Sequence, residues 1–313
     1  MKYQLEKESR VAFLFPDYEA LVPGFAQHLY HHDRIVQEYV EEAAHISGLP
    51  VARFFYNSSI SELHALPDCY QLLFVQQVSI CAYLRSQGIA VIQVGGLGTG
   101  VYSALCAAGS FTFAEGLYML SKWGVSYEQL LHEKNFKKIL IVGIPEKNLT
   151  KILAGYDHAQ IVLSEKFDTL HFAVSGLRLI VEEFQAAVIK QYASSNITEM
   201  PLESGLYANF MQETTAYYRQ YLEKIEFKNP ELPVYLPYPS KELSSAQVKE
   251  IVACQETVYQ DHMYLIDQFI GVDTIIMPGA GKNLSALVQT RYPEKKIITV
   301  IDERLPKEVL YDR

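Results

Sequence analysis

The sequence predicts an α/β fold, and three features indicate it. Residues 88–109 read as a short apolar strand, a glycine-dense turn and a helix rich in Ala and Leu. No charged residue occurs between Arg85 and Glu115, so both elements are expected to be buried. Apolar runs at 11–15 and 274–277 are typical of strands in a parallel sheet that helices cover on both faces.

The composition predicts an acidic globular chain. The 313 residues carry a formal net charge of −9, which argues against nucleic acid as the main partner, because such a partner requires a basic face. The charged N-terminus has no apolar signal core, and the glycines within the uncharged stretch argue against a membrane span. We therefore expect a cytoplasmic protein. The four cysteines are scattered, which is typical of free thiols in a reducing compartment; they are Cys69, Cys81, Cys106 and Cys254.

A second pattern begins near residue 136. Strand and helix signals follow one another there as β-α-β-β-α-β, the order of a ferredoxin-like unit. They cover 138–143, 146–154, 159–163, 169–174, 177–193 and 196–200. We predict a small ferredoxin-like domain at 136–202, inserted into a large domain made of 1–135 and 203–313. Apolar periodicity in the large domain predicts helices at 25–46, 68–87, 113–131, 206–225 and 244–270.

The glycine-dense turn, GGLGTG at 95–100, is the strongest candidate for a site. Glycine lets the backbone approach a ligand, and a helix N-terminus offers unpaired N–H groups to negative charge. Dinucleotide binding requires G-x-G-x-x-G, which Gly98, Gly100 and Ser103 fit only in part, without the acidic residue expected about 20 positions later. A nucleophile elbow requires G-x-S-x-G, and Gly98 stands where its serine would be. A close-packed turn without chemistry is the third possibility.

Two other motifs predict no site. The loop PGAGK at 278–282 is not a phosphate loop, because that motif requires glycine at Ile276 and Ser or Thr at Asn283. The HHD run at 31–33 has no further ligand spacing, so it is interpreted as a solvated helix face. The sequence therefore predicts neither a metal nor a cofactor.

Over nearly its whole length the chain resembles malonyl-CoA:acyl-carrier-protein transacylases. The sequence GVYSAL at 100–105, followed by AG at 108–109, matches the end of the family motif G-H-S-L-G-E-Y-S-A-L. FLFP at 13–16 and GAGKNL at 279–284, the latter against G-P-G-K-V-L, are supporting matches. The resemblance implies an α/β-hydrolase-like large domain with an inserted ferredoxin-like small domain.

The resemblance also implies where catalytic side chains would stand. In that family an elbow serine attacks the malonyl thioester, a histidine takes its proton, and an arginine pairs with the malonyl carboxylate. In this sequence the serine position falls at Gly98, the histidine position at Tyr207 and the arginine position at Trp123. The substrate cleft would be lined by Leu97, Trp123 and Tyr207. Only backbone N–H groups, those of Thr99 and Tyr18, would remain to stabilise an oxyanion.

These departures predict a catalytically impaired homologue. Glycine offers no attacking atom, and a tyrosine hydroxyl with a pKa near ~10 is a poor base at neutral pH. The scaffold would bind an acyl carrier protein, a pathway enzyme or an acyl–pantetheine chain, within polyketide or fatty-acid biosynthesis. Carrier proteins are acidic, so a local basic patch is expected to dock them. The candidates are Lys134, Lys137, Lys138 and Lys282.

Two other functions stay open at this point. One is an active acyltransferase or thioester hydrolase that uses water or a relocated nucleophile; Thr99 and Ser103 adjoin the elbow position, and His262 is a distant candidate base. The other is a dinucleotide-binding protein, on the partial glycine motif.

Overall fold

The computed structural model describes residues 10–240 and 243–301, and its centre is a five-stranded parallel sheet. With strands numbered along the chain, their order across this sheet is β10-β9-β1-β2-β7. The strands are β1 (Val11–Phe15), β2 (Gln93–Gly96), β7 (Val234–Tyr235), β9 (Thr274–Pro278) and β10 (Lys296–Val300). β1 and β9 are buried along their whole length, as expected for strands covered on both faces.

The middle of the chain forms a second sheet with the order β6-β3-β5-β4-β8. Its pairs are antiparallel except for the last, in which β8 runs parallel to β4. The strands are β3 (Phe136–Val142), β4 (Ile161–Lys166), β5 (His171–Leu177), β6 (Asn196–Met200) and β8 (Gln260–Asp261). The two-residue strand β8 comes from later in the chain, so the second sheet is completed by a segment outside 136–202.

Helices surround both sheets. The α-helices of the described residues are α1 (Gln27–His32), α2 (Arg34–Ser47), α3 (Val51–Asn57), α4 (Ile60–Leu63), α5 (Cys69–Ser86), α6 (Gly100–Ala107), α7 (Phe113–Glu133), α8 (Glu146–Leu153), α9 (Arg178–Gln191), α10 (Gln212–Leu222), α11 (Ser245–Cys254), α12 (His262–Asp267) and α13 (Lys282–Arg291). Short 3-10 helices lie at Tyr18–Ala20, Leu202–Ser204, Asn209–Met211 and Gln255–Thr257. Within the described ranges, none of the helices has the length and apolar character that crossing a bilayer demands.

The core is built around α5, which packs against α2, α6 and α7. Most of its residues are buried, and its run of apolar residues is interrupted by the buried Gln76 and Gln77. Buried amides need partners, and these two donate to backbone carbonyls of the loop after β1, namely Ala20 O and Pro16 O. The helix thereby holds the loop after β1, which faces the glycine turn, in place.

Three predicted helices are interrupted or shortened in the structure. The helix expected at 25–46 is interrupted at Asp33, whose carboxylate accepts hydrogen bonds from Ile35 N and Val36 N and starts a new helix. The one expected at 206–225 begins only at Gln212, because Tyr207 has a left-handed φ of +45°. The one expected at 244–270 ends at Cys254, after which the chain contributes β8 and α12.

The strand predicted at 89–94 is shifted toward the glycines. β2 pairs with β1 in a register that places Gln93 beside Ala12 and Gly96 beside Phe15. Gly95 is required inside this strand, since a Cβ there would lie 3.0 Å from Tyr235 O and against the Phe269 ring. The carboxyl ends of β1 and β2 therefore meet at the same edge of the sheet.

Candidate functional site

The glycine turn between β2 and α6 has the geometry of a sharp elbow. Leu97 N donates to Phe15 O at 3.0 Å, and Gly100 N donates to Leu97 O at 2.7 Å, which closes the turn. Gly98 lies at its tip with a φ of +48°, in the left-handed region that favours glycine. A strand that turns this tightly into a helix is the backbone arrangement of a nucleophile elbow.

Other side chains occupy the space above Gly98. A Cβ at this position would overlap the Asp17 carboxyl group and the Tyr207 hydroxyl. Serine could therefore not be placed there without moving both neighbours, in addition to the strain of a positive φ. The structure thus places Gly98 at the tip of the elbow, and other groups fill the position into which a side chain at residue 98 would project.

Asp17 reaches the elbow because β1 and β2 are neighbours. It follows β1 by two residues, as Gly98 follows β2 by two residues. Its Oδ1 accepts a hydrogen bond from Thr99 N at 2.9 Å, and its Oδ2 accepts one from Tyr207 Oη at 2.7 Å. Asp17 was not predicted as a site residue. The available signal was that it closely follows an apolar strand, because parallel strands that are neighbours bring the residues after their carboxyl ends together.

The environment of Asp17 makes its carboxyl group easier to protonate than a carboxyl group exposed to water. Burial raises the pKa of Asp17, and the charge of Glu165 acts in the same direction. Hydrogen bonds from Tyr207 and from the backbone of Thr99 and Tyr18 lower the pKa and offset part of that rise. Of the two backbone groups that the sequence predicted for oxyanion stabilisation, Thr99 N thus donates to this carboxyl group.

Tyr207 is a strained, buried residue that closes the elbow together with Asp17. It is 3% exposed, and its left-handed φ of +45° is costly for a residue with a side chain. Burial raises the pKa of its hydroxyl well above the usual range, and the charges of Asp17 and Glu256 act in the same direction. The raised pKa keeps the hydroxyl protonated at neutral pH, and it donates a hydrogen bond to Asp17 Oδ2.

Lys138 lies behind Tyr207, and its prediction as a docking residue is wrong. The side chain is 0% exposed, because its Nζ is enclosed beneath the segment that carries Tyr207. Nζ donates to Ser204 O at 3.0 Å, to Ser204 Oγ at 2.8 Å and to Gly205 O at 2.7 Å. It also lies 5.1 Å from the centroid of the Tyr207 ring, within cation–π range.

Glu165 provides the counter-charge of Lys138. The two form a buried ion pair, and the second oxygen of Glu165 lies 3.3 Å from His262 Nε2. Burial opposes ionisation of Glu165, but the Lys138 ammonium and His262 outweigh it and lower the pKa of the carboxyl. His262, considered from the sequence as a candidate base, is thus buried in an ion-pair cluster and packs edge-on against Phe167.

Glu256 is a second buried acid that sequence reasoning missed. A Cβ at Gly205 would lie 2.7 Å from Glu256 Oε2 and 2.7 Å from the Tyr207 ring, so the acid lies beside the strained segment. Burial raises the pKa of Glu256 well above its usual range, and the charge of Asp17 adds to the effect. Its neighbour Gln255 is also buried and donates to Gly98 O at 3.2 Å. The 3-10 helix that carries both residues therefore supports the elbow from below.

Trp123 lies in a cluster of buried aromatic rings. It is 2% exposed, stacks on Tyr127 at 5.9 Å and meets Tyr218 edge-on at 5.3 Å. Tyr218 Oη lies 3.2 Å from Tyr102 Oη, and Tyr127 Oη donates to Leu202 O at 2.6 Å. A malonyl carboxylate at this position would meet rings in place of a cation.

Leu97 is not part of that cluster, so the predicted cleft of Leu97, Trp123 and Tyr207 is not assembled as one surface. Leu97 is buried in a separate apolar cluster with Leu14, Phe269 and Met277. All three side chains are buried.

The other predicted docking lysines differ in their exposure. The Lys137 side chain is 12% exposed and its Nζ lies 3.3 Å from Glu182 and 3.6 Å from Glu199, so its charge is already neutralised. The Lys134 side chain is 41% exposed, with Glu213 4.0 Å away. Lys282 is exposed at the start of α13. Lys134 and Lys282 remain predictions.

The residues considered for metal or dinucleotide binding do not gather into such sites. His31 contacts Tyr56 Oη at 2.7 Å, and no cluster of His, Cys, Asp and Glu suited to a metal ion occurs in the ranges that the structure describes. Ser103, the last position of the partial glycine motif, is buried inside α6. The carboxyl group of Asp17 adjoins the amides that would otherwise face a pyrophosphate.

Comparison of sequences identifies relatives over most of the chain. No family model matches. The malonyl CoA-acyl carrier protein transacylase of Bacillus subtilis is 22% identical over 301 residues, which cover 94% of this chain and 94% of the relative. A polyketide biosynthesis malonyl CoA-acyl carrier protein transacylase of the same organism is 20% identical over 246 residues, covering 78% of this chain and 83% of the relative.

Comparison of structures agrees with the comparison of sequences. One solved structure shows a type II polyketide-synthase acyl-carrier protein in complex with its malonyl-transacylase. Its match has a TM-score of 0.86 at 18% identity and covers 94% of this chain and 96% of that chain. The predicted α/β class is thereby confirmed as the acyltransferase fold. Relatives in sequence and in structure together point to the malonyl-CoA:acyl-carrier-protein transacylase family.

Proposed function

We propose that this chain is a catalytically impaired transacylase homologue that serves as a binding or scaffold partner for acyl carrier protein. The relatives are malonyl-CoA:acyl-carrier-protein transacylases and polyketide-associated acyltransferases, so the family is related to acyl-carrier-protein chemistry. The observation that carries the proposal is at the elbow. Gly98 has no side chain to attack a thioester, and Asp17 and Tyr207 fill the place where one would stand.

The residues at the other predicted catalytic positions support impairment. Tyr207 has a pKa raised well above its usual range and already donates its proton to Asp17. Trp123 lies among aromatic rings and carries no charge for a malonyl carboxylate. Loss of a nucleophile or of its base alone typically reduces kcat by several orders of magnitude. Loss of all three groups leaves the scaffold as the part of the family's machinery that this chain retains.

The proposed organisation follows the family. The second sheet carries the β-α-β-β-α-β order, and we assign 136–202 to a ferredoxin-like small domain inserted between 1–135 and 203–313. The partner would be an acyl carrier protein or a pathway enzyme of polyketide or fatty-acid biosynthesis in the cytoplasm. The complex of a related transacylase with its carrier protein supports the first partner. Lys134 and Lys282 are the docking candidates whose side chains are open to an acidic surface.

The decisive experiment combines acylation with binding. The chain is incubated with malonyl-CoA and separately with acetyl-CoA, and its intact mass is measured. We expect no adduct and no release of free CoA, together with saturable binding of acyl carrier protein in biolayer interferometry. An acyl adduct would overturn the impaired assignment in favour of a relocated nucleophile, and CoA release without an adduct would favour a hydrolase that uses water.

The docking candidates are tested with a matched control. Lys134→Glu and Lys282→Glu should each weaken carrier-protein binding, because acidic partners are attracted by these charges and repelled by their reversal. Lys190→Glu reverses an exposed charge on α9 and should leave the affinity unchanged. Equal effects at all three positions would indicate a general charge effect in place of a docking surface.

A further inference from the structure

We infer that the elbow amide, which is the backbone N–H group of Thr99, forms a carboxylate-binding site together with the Tyr207 hydroxyl, and that the permanent occupant of this site is the chain's own Asp17. Thr99 N donates to Asp17 Oδ1 at 2.9 Å, and Tyr207 Oη donates to Asp17 Oδ2 at 2.7 Å. The site is therefore filled by an internal ligand.

The geometry of the occupant supports this assignment. Asp17 uses one oxygen for Thr99 N and the other for the Tyr207 hydroxyl, 2.7 Å away. The second oxygen also lies where a Cβ of residue 98 would stand. One carboxyl group thus covers the donors of the site and occupies the volume of the missing side chain. Two separate features of the elbow are closed by a single residue.

Buried polar side chains hold both loops of the site in place. Gln77 is fully buried and donates to Pro16 O at 2.6 Å, next to Asp17. Gln255 is also fully buried and donates to Gly98 O at 3.2 Å. Gly98 O and Thr99 N belong to one planar peptide group, so the bond from Gln255 also orients the Thr99 amide. We therefore expect this amide to keep its direction when the carboxylate is removed.

Removing the occupant should therefore create a receptor for a small carboxylate. Asp17→Ala deletes one carboxyl group, and formate has the size and charge of the deleted atoms. We expect formate to raise the Tm of Asp17→Ala in a saturable manner, because a ligand that binds only the folded state stabilises it. Wild type should show no such rise, since its site is filled. Chloride at the same ionic strength controls for screening.

Asp17→Asn provides the second variant. Asparagine keeps the shape and an acceptor oxygen for Thr99 N, so this variant should stay closed and gain nothing from formate. A rise in Tm with formate that is equal in wild type, Asp17→Asn and Asp17→Ala would overturn the inference. So would a folded Asp17→Ala whose Tm formate leaves unchanged.

A measurement on wild type makes the inference independent of whether variants fold. The Thr99 amide resonance should shift with pH as the Asp17 carboxyl titrates, and Asp17→Asn should abolish the shift. A Thr99 amide that is insensitive to pH across the acid range contradicts the hydrogen bond. None of these experiments measures acyl transfer or carrier-protein binding. The inference can therefore fail while the proposed function holds, and the reverse is equally observable.

Discussion

At the scale of single residues, two separate factors require glycine at position 98: the backbone conformation and the lack of space for a side chain. Gly98 adopts a positive φ, and its Cβ would overlap Asp17 and Tyr207. Gly88 also adopts a positive φ, of +85°, but a Cβ there would meet nothing within 4 Å. The pair separates the backbone cost of a side chain from the cost of occupied space.

We predict that Gly98→Ser destabilises the chain more than Gly88→Ser does. Both substitutions place a side chain at positive φ, so the difference between them reports the overlap at the elbow, about 1–3 kcal/mol for an overpacked site. Urea unfolding followed by circular dichroism measures both. Adding Asp17→Gly to Gly98→Ser should recover part of the loss, because the overlapped carboxyl group is gone. Equal losses for the two serines would show that the elbow is open.

Glu256 predicts a pH dependence of stability. Its folded-state pKa is raised well above the usual range by burial, so the folded chain holds a proton that the unfolded chain releases. Stability is then greatest at acidic pH and falls as pH rises from the unfolded pKa toward the folded one. Each unit between these two pKa values corresponds to about 1.4 kcal/mol. The raised pKa values of Asp17 and Glu19 act in the same direction, whereas the lowered pKa of Glu165 acts oppositely, at lower pH.

We expect Glu256→Gln to remove the share of this dependence that belongs to Glu256. Glutamine resembles the protonated acid, so the variant should gain stability relative to wild type at pH 8 and differ little from it at pH 4.5. Urea denaturation at both values tests this. Glu183→Gln, at an exposed position on α9, is the control and should show no such contrast. The same stability difference at both pH values would place an ionised Glu256 in the folded state.

The burial of the acids and of Lys138 could not be predicted from the sequence one residue at a time. A charged residue in isolation indicates solvent, and that rule placed Lys138 on the surface. Its burial depends on Glu165 and the carbonyls of Ser204 and Gly205, which are distant in the sequence. The glycine turn, in contrast, was predictable because its motif is local. Asp17 lies between these cases, since its role required only the pairing of β1 with β2.

At the scale of elements, local patterns predicted most single strands and helices but not the points at which tertiary contacts interrupt a helix. Val11–Phe15 and Asn196–Met200 have the bounds that the apolar pattern indicated. Residues 206–225 were predicted to be helical throughout, but residues 205–208 form no helix, and Gly205 and Tyr207 have positive φ, before the 3-10 helix Asn209–Met211. Lys138 binds the carbonyl of Gly205 and Tyr207 binds Asp17. Tertiary contacts therefore override helical periodicity at this point.

We predict that this segment depends on Lys138. Lys138→Met removes a buried cation and leaves Glu165 without its ammonium partner, with His262 still beside its second oxygen, which should cost about 3–5 kcal/mol. Lys137→Met, at the preceding residue of β3, removes a cation whose partners are exposed at the surface, and should cost about 0–1 kcal/mol. Urea unfolding of both variants gives the comparison. Adding Glu165→Gln to Lys138→Met should restore part of the lost stability, whereas a further additive loss would contradict an ion pair.

At the scale of the whole molecule, a retained fold and a closed elbow predict how a carrier protein would be recognised. A working transacylase must admit the pantetheine arm to its elbow, but here the corresponding position is filled by Asp17 and Tyr207. If the chain binds carrier protein as proposed, binding should come from the protein surfaces alone. Apo and holo carrier protein should then have dissociation constants within about twofold of each other, a difference of less than ~0.5 kcal/mol.

Isothermal titration with the two carrier-protein forms tests this expectation. Both affinities should weaken together as salt is raised from low ionic strength, because exposed charges are screened. Lys282→Glu should weaken both forms equally. A holo form that binds about tenfold more tightly than the apo form, corresponding to ~1.4 kcal/mol, would show that the arm enters the chain despite the filled elbow. Asp17→Ala is the comparison variant, because it uncovers the Thr99 amide at the elbow. If the filled elbow is what excludes the arm, this variant should bind holo carrier protein more tightly than apo carrier protein.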